Sequence, residues 1–204
     1  MRSRGTVADA RFSCHRSKCP LQGDIRSGRR HRRQRYGRGV SADLSIRPCV
    51  ADDAPALAAM YTADRDELLT AEQSRAPSFF TVAGQLERIT RTWPDHNCLG
   101  FVAVVLDQVV GLLLLEDIAD GSATVGYYIA SAARGRGVAT AAVRALVQVA
   151  QQDLGLLRLV ADIDPGNVAS RRVAERNGFR AVGSVVIGGA RFDRFVIGSE
   201  LPGQ

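Results

Sequence analysis

The chain turns from a strand to a helix within Gly126-Tyr-Tyr-Ile-Ala-Ser-Ala-Ala-Arg-Gly-Arg-Gly-Val-Ala-Thr140, and the rest of the fold can be worked out from this junction. Two glycines, Gly135 and Gly137, lie in the turn, where the absence of a Cβ atom lets the backbone bend tightly and approach a ligand. The first N–H groups of the following helix have no partner within the helix, and the helix dipole adds positive potential. The turn therefore predicts an anion site, and we expect a phosphate or a diphosphate there.

Three specific interpretations of this glycine-rich turn compete with an ordinary strand-to-helix turn. A P-loop requires Gly-Lys-Ser or Gly-Lys-Thr at its end, which this turn lacks. A dinucleotide-binding fold requires a third glycine after the first strand of the chain, whereas Thr140 occupies that position and several predicted strands come earlier. A site for another phosphate-bearing ligand is the third interpretation, and Arg134 and Arg136 add positive charge at the rim of the turn.

Hydrophobic periodicity predicts the remaining elements. Strands are predicted over residues 44–50, 101–106, 109–116, 123–129, 157–163, 180–187 and 190–197. Helices are predicted over residues 53–69, 82–92, 138–152 and 167–178. Strand–helix–strand connectivity places the strand at 157–163 parallel to the strand that ends at Ile129. We therefore expect an α/β (α+β) domain: a mixed, mostly antiparallel sheet of about seven strands with a central parallel pair, and about four helices.

Charge is distributed unevenly along the 204 residues. Residues 1–40 contain 12 Lys and Arg residues against two acidic residues, whereas the remainder contains 15 basic and 19 acidic residues. Residues 1–39 show no hydrophobic period, so we expect a basic, disordered extension that precedes a domain over residues 40–204. Such an extension could contact RNA non-specifically. Alternatively, the natural chain starts at Val40, which would open the first strand.

Other features exclude several classes of protein. The four cysteines are too sparse for a disulfide scaffold, and Cys14, His15 and Cys19 have no second pair of ligands for zinc, so no metal is expected. No secretory signal is visible, and the most apolar run, residues 101–115, is too short to cross a bilayer. We expect a cytoplasmic protein without membrane contact, as a monomer or a homodimer.

Four short motifs carry a resemblance to a known family. They are Gly126-Tyr127-Tyr128-Ile129, Arg134-x-x-Gly137-x-Ala139, Asn167-x-x-Ser170 and Gly178-Phe179. In order and spacing they resemble the GCN5-related N-acetyltransferase (GNAT) superfamily and its RimJ/RimL-like branch, over roughly residues 42–200. The resemblance implies the GNAT fold with the parallel pair splayed, acetyl-coenzyme A as co-substrate, and direct acetyl transfer to an amine. In that branch the acceptor is the N-terminal amine of a ribosomal protein.

The resemblance also implies the site residues. Those expected to bind the co-substrate are Tyr127, Tyr128, Ile129, Arg134, Gly135, Arg136, Gly137, Val138, Ala139, Thr140, Asn167 and Ser170. Many relatives protonate the leaving sulfur with a tyrosine at the position of Ala174, so Ser170 is expected to stabilise the thiolate instead. Glu116, beside Asp117, is the candidate base, with a bound water as the alternative. Tyr128 is the third predicted catalytic residue.

Several acceptors fit the sequence. A protein N-terminus, ribosomal or other, is favoured, and a small-molecule amine such as a polyamine, an amino acid or an antibiotic is the alternative. A non-catalytic regulator that binds coenzyme A belongs to a different class. The acidic balance of the domain favours a basic acceptor. The acidic run Asp64–Glu67, at the end of the first helix, is predicted to meet that acceptor.

Overall fold

The computed structural model of this protein describes residues 44–69 and 75–199. The basic extension, the boundary predicted at residues 39 and 40, and Cys14 and Cys19 lie outside the described residues. The strands are β1 Leu44–Pro48, β2 Leu99–Val105, β3 Gln108–Ala119, β4 Ser122–Ile129, β5 Arg158–Ile163, β6 Arg180–Ile187 and β7 Ala190–Gly198. They form one seven-stranded sheet in the order β1-β2-β3-β4-β5-β7-β6. The predicted number of strands is confirmed within the described residues.

The pairing in the sheet is antiparallel except between two central strands. β4 pairs with β5 in parallel, and every other neighbouring pair is antiparallel. The parallel pair follows from the helix that connects its members, because a strand–helix–strand crossover returns the chain in the same direction. The predicted mixed sheet with one central parallel pair is therefore confirmed.

Helices cover both faces of the sheet. They are α1 Ala54–Ala63, α2 Arg65–Leu68, α3 Val82–Glu87, α4 Trp93–Asp95, α5 Val138–Gln148 and α6 Val168–Arg176. π-helical segments, Arg88–Thr92 and Val149–Asp153, continue α3 and α5. Side chains start two of the helices: the Thr81 hydroxyl accepts the N–H of Gly84 at 3.1 Å, and the Asn167 carbonyl accepts the N–H of Ser170 at 2.9 Å.

Alternate side chains of the central strands enter two cores. Leu113 and Leu115 of β3 pack with α5 on one face, whereas Leu112 and Tyr128 pack with α1, α2 and the π-helical segment Arg88–Thr92 on the other. Because successive residues of a strand point to opposite faces of the sheet, neighbours such as Leu112 and Leu113 pack into different cores. The sheet thus lies between two helical layers, and its central strands are reached from both sides.

Two local predictions are wrong. The helix that begins after Thr81 does not end before Pro94, since the chain stays helical to Asp95. Pro94 lies in the last turn of this continuous helical run, and the chain leaves the helix after Asp95. The turn between β2 and β3 was predicted at Asp107-Gln108 but lies at Leu106-Asp107, since Val105 pairs with Gln108. Leu106 and Asp107 have positive φ angles, 49° and 63°, as a tight hairpin turn requires.

The described residues show neither a membrane-spanning helix nor a metal site. Among residues 44–69 and 75–199, no helix is long and apolar enough to span a bilayer. In the same residues, no cluster of three or more His, Cys, Asp or Glu side chains is arranged to hold a metal ion.

Candidate active site

The parallel pair separates soon after it forms. Residues Ser122–Thr124 of β4 pair with residues Arg158–Val160 of β5, and the two strands then diverge. From Val125 to Ile129, the β5-facing edge of β4 therefore has no strand partner among the described residues. A strand edge without a partner presents N–H and C=O groups that a ligand can bind.

A cleft of about 510 Å³ occupies the space between the separated strands, and we call it the splay cleft. Its walls come from β4, from the end of β5 and from α5 and α6. It is lined by Val125, Gly126, Tyr127, Val143, Ala161, Asp162, Ile163, Asp164, Asn167, Ser170, Val173, Ala174 and Phe179. The polar groups converge on one side, where Asn167 and Ser170 begin α6.

A second cleft, of about 450 Å³, lies on the face of the sheet that carries α1 and α3, and we call it the aromatic cleft. It is lined by Tyr61, Leu68, Arg75, Phe79, Arg88, Leu112, Leu114, Glu116, Gly126, Tyr127 and Tyr128. The two clefts share Gly126 and Tyr127. They therefore meet at the point where β4 leaves β5.

Gly126 keeps this meeting point open. A Cβ atom at Gly126 would lie 3.2 Å from Oε2 of Glu116, which is a closer contact than side chains normally make. Glu116 belongs to β3 and pairs with Thr124 of β4, so its carboxylate lies beside the junction of the two clefts. The structure thus brings the predicted base next to the predicted co-substrate strand.

The glycine-rich turn has the backbone geometry that its sequence predicts. Gly135 and Gly137 have φ angles of +77° and +78°, which residues with a Cβ adopt only with strain. No atom lies within 4 Å of the position that a Cβ would take on either glycine, so the space above the turn is open. Gly137 precedes α5 and accepts the first helical hydrogen bond, from Ala141 N–H at 3.0 Å. The amides of residues 138–140 have no intrahelical acceptor at this helix start.

Ser170 is held by two neighbours. Its backbone N–H donates to Asn167, and its hydroxyl oxygen accepts the Tyr127 hydroxyl at 3.1 Å. Burial raises the pKa of Tyr127, and the hydrogen bond with Ser170 offsets only part of that rise. Tyr127 therefore stays protonated at neutral pH and acts as the donor. A serine whose oxygen accepts a hydrogen bond keeps its own proton available for another acceptor.

Tyr128 contacts a buried carboxylate and not the splay cleft. Its hydroxyl donates to Asp64, which also accepts the N–H of Ser131 at 2.9 Å and the hydroxyl of Ser131. Burial, reinforced by the hydrogen bond to Asp64 and by its charge, raises the pKa of Tyr128 far above its ordinary value. Burial alone would raise the pKa of Asp64, but the Ser131 and Tyr128 hydrogen bonds outweigh it and lower that pKa. A catalytic role for Tyr128 stays a prediction, and in this structure its hydroxyl is bound to Asp64.

Arg134 is exposed but contacts β4 and α2. Its Nε donates to the carbonyl of Ile129 at 2.8 Å, its guanidinium pairs with Glu67, and it lies 5.2 Å from the centre of the Tyr128 ring. The acidic run at Asp64–Glu67 therefore holds the glycine-rich turn and β4 in place. Asp64 is buried and Glu67 is paired with Arg134, whereas Asp66 is exposed, so contact of this run with an acceptor stays a prediction. Arg136 is also exposed, at the rim of the turn.

Residues 43–180 match the family described as Acetyltransferase (GNAT) domain. The chain belongs to the GNAT family. The probable N-acetyltransferase YjcK of Bacillus subtilis (strain 168) is 32% identical over 148 residues, which cover 69% of this chain and 82% of YjcK. The structure of Mycobacterium smegmatis RimJ in complex with CoA-disulfide superposes with a TM-score of 0.67 at 26% identity, over 79% of this chain and 84% of RimJ.

A further solved structure shares the GNAT fold. Ribosomal-protein-S5-alanine acetyltransferase from Vibrio fischeri has a TM-score of 0.67 at 24% identity, over 79% of this chain and 94% of that chain. The predicted family, fold and enzyme class are confirmed, and this GNAT protein is an N-acetyltransferase. The residues of its site fit coenzyme A, since an open turn with free amides suits a diphosphate and an unpaired strand edge suits an amide-containing arm.

Sequence reasoning missed Arg75 and Arg88, which line the aromatic cleft. It named Asp64 only as part of an acidic run expected to meet the acceptor, and the bonds of this buried residue to Tyr128 and Ser131 were not predicted. Arginines in a polar loop or on a polar helical segment are typical of solvated positions, so no sequence pattern marks Arg75 or Arg88. These contacts depend on how the segments pack against the sheet, and that is a property of the tertiary structure.

Proposed function

We propose that this GNAT acetyltransferase transfers the acetyl group of acetyl-coenzyme A to the α-amine of a protein N-terminus. The observation that carries the proposal is the meeting of the splay cleft and the aromatic cleft at Gly126 and Tyr127. A donor in one cleft and an acceptor in the other would come together at this point. Holding two reactants at one place converts a bimolecular reaction into an effectively unimolecular one.

The splay-cleft side would hold the co-substrate. The amides of residues 138–140 would bind its diphosphate, and the free edge of β4 would bind its amide-containing arm. Acetyl-coenzyme A supplies an activated acetyl group and a thiol leaving group. Ser170 would give its proton to the departing sulfur, and Tyr127 would then support the serine oxygen through its hydrogen bond. Asn167 would position Ser170 through the backbone contact.

The aromatic-cleft side would hold the acceptor amine. An ammonium group has no lone pair, so it must lose a proton before it attacks. Glu116 lies beside the junction and would take that proton. The guanidinium groups of Arg75 and Arg88 in the same cleft disfavour a neighbouring ammonium and so lower the pKa of a bound amine. The N-terminal amine, with an ordinary pKa near about 8, needs only a small shift to be neutral at physiological pH.

A protein N-terminus is supported by the likeness to RimJ. The test is an assay with acetyl-coenzyme A, a panel of N-terminal peptides, and polyamines, amino acids and aminoglycosides. We expect peptides to be acetylated with the highest kcat/KM, and fragmentation mass spectrometry to place the acetyl group on the α-amine. Acetylation of the small amines alone would refute the proposed acceptor, and binding of acetyl-coenzyme A without turnover would refute catalysis.

The role of Glu116 can be tested at the same time. We expect Glu116→Gln to lower kcat by about 10-fold or more at neutral pH, with a smaller loss at higher pH where the amine is already neutral. Asp117→Asn is the matched control, because Asp117 is the next residue and is exposed. If Glu116→Gln is as fast as Asp117→Asn across the pH range, the amine loses its proton to water and not to Glu116.

A further inference from the structure

The aromatic cleft contains two cationic side chains stacked on aromatic rings. The guanidinium carbon of Arg75 lies 4.5 Å from the centre of the Phe79 ring, and that of Arg88 lies 4.6 Å from the same centre. Arg88 also lies 5.7 Å from the centre of the Trp93 ring. A cation this close to the face of an aromatic ring is attracted by the ring's quadrupole, which helps to hold both side chains at the cleft.

One nitrogen of the Arg88 guanidinium group has no hydrogen-bond acceptor among the described residues. This atom, Nη1, is buried from solvent, and no described residue accepts a hydrogen bond from it. Buried donors in folded proteins are nearly always satisfied, so an unpaired donor on a residue that lines a cleft is a candidate to bind a ligand's acceptor. Since the planar guanidinium group matches a carboxylate, which can accept two parallel N–H bonds, an oxyanion is the ligand that fits best.

The formal charges in the cleft agree with this ligand. Among the described residues that line it, Arg75 and Arg88 are cationic and Glu116 is the one anionic side chain. The cleft therefore has an excess of positive charge, although residues 41–204 as a whole have an excess of acidic residues. Local charge in a cleft acts on a bound ligand at short range, whereas the charge of the whole domain is screened by salt.

We infer that the aromatic cleft selects an acceptor that carries a carboxylate close to its reactive amine, as in a peptide with Asp or Glu near its N-terminus. This inference rests on the proposed function. Arg88, with Arg75 beside it, would bind the carboxylate, while Glu116 at the junction would receive the proton of the amine. It reverses the expectation of a basic acceptor, which was drawn from the charge of the whole domain.

The test compares two N-terminal peptides that differ only in Glu against Gln at the second or third residue. We expect wild-type protein to acetylate the Glu peptide with a kcat/KM about 10-fold higher, because a charge-assisted hydrogen bond is stronger than a neutral one. The ratio should fall as salt is raised, since screening weakens the attraction. Arg88→Gln should bring the ratio close to 1. Arg88→Lys, which keeps the charge but not the planar donor group, should give an intermediate ratio.

Arg91→Gln is the matched control, because Arg91 lies in the same π-helical segment, is exposed and does not line the cleft. It removes the same charge and should leave the wild-type ratio unchanged. Equal rates for the two peptides, or a preference that persists in both Arg88→Gln and Arg75→Gln, would overturn the inference while the proposed function stands. Acetylation of no peptide at all would instead overturn the proposed function.

Free aspartate and glutamate form a second arm of the experiment. If they are acetylated faster than any peptide, and Arg88→Gln abolishes this advantage, the carboxylate preference is supported and the acceptor is a small molecule. Should the Arg88 variants unfold, the salt dependence of the wild-type ratio decides the question without them. A ratio that does not change with salt would contradict recognition of the carboxylate by charge.

Discussion

The two clefts lie on either side of one strand but are assembled in different ways. The splay cleft takes all its lining residues from positions 125–179, where β4, the glycine-rich turn, α5, β5 and α6 follow one another in the chain. The aromatic cleft collects residues from positions 61–128, with side chains from α1, from the segments around α3 and from two strands. The first is formed by one strand–helix–strand–helix unit, and the second forms only when separate elements pack together.

The difference also concerns the kind of group that each cleft offers. On the splay side, the decisive groups are backbone amides and a strand edge, supported by one serine and one asparagine. On the aromatic side, the decisive groups are charged and aromatic side chains. Backbone groups recognise what every acyl-coenzyme A has in common, whereas side chains distinguish one acceptor from another. The splay cleft is thus suited to a fixed co-substrate and the aromatic cleft to a particular acceptor.

The largest effect is expected from a variant that disturbs only the glycine-rich turn, where backbone amides are proposed to bind the co-substrate. We expect Gly137→Glu to weaken acetyl-coenzyme A binding at least about 100-fold, or about 2.7 kcal/mol, because a carboxylate would project from the turn that must hold a diphosphate. Isothermal titration calorimetry measures the loss. Binding to the aromatic cleft, followed with an acceptor peptide, should be little changed.

Two variants separate charge from backbone strain. Gly137→Ala introduces only the cost of a Cβ at φ +78°, about 1–2 kcal/mol of stability. Gly155→Glu is the matched control, because Gly155 also has a positive φ, +67°, with nothing within 4 Å of its Cβ position. If Gly155→Glu weakens acetyl-coenzyme A binding as much as Gly137→Glu does, the turn is not the diphosphate site.

The same division explains how much could be predicted from the sequence. The turn at residues 134–140, the capping Asn167 and the neighbouring Ser170 follow local rules of helix starts and glycine geometry, so their positions were predicted correctly. Glu116 was predicted from its place at the end of a strand, and the sheet register does bring it to Gly126. Arg75 and Arg88 as cleft residues, and the bonds of Asp64 to Tyr128 and Ser131, could not be predicted, because each depends on how segments distant in the chain pack over β3 and β4.

The next prediction concerns Ser170 and sharpens the splay-cleft side. Ser170→Ala should lower kcat by about 100-fold and leave the affinity for acetyl-coenzyme A nearly unchanged, because proton donation to sulfur is lost while the backbone cap from Asn167 remains. Tyr127→Phe should have a smaller effect on kcat, since it removes only the hydrogen bond that supports the serine oxygen. Steady-state kinetics with a peptide acceptor measures both, and Ser184→Ala on the exposed face of β6 is the control. An unchanged kcat for Ser170→Ala would remove it from the mechanism.

The last prediction is an effect on stability and not on activity, and it concerns the support of the aromatic cleft. Asp64 holds Tyr128 and Ser131, and these bonds keep its pKa in the folded protein below its ordinary value, despite burial. A carboxyl group with a lowered folded pKa contributes stability at pH values above its unfolded pKa, about 3.9, and that stability is lost as pH falls through the folded pKa.

Asp64→Asn should therefore reduce the free energy of unfolding by about 1.5–3 kcal/mol at pH 7. The difference from wild type should narrow below about pH 4 in urea titrations. Asp66→Asn, at an exposed position two residues away, should show no such difference. A gap between wild type and Asp64→Asn that stays constant down to pH 2 would mean that Asp64 stabilises the cleft by its shape and not by its charge.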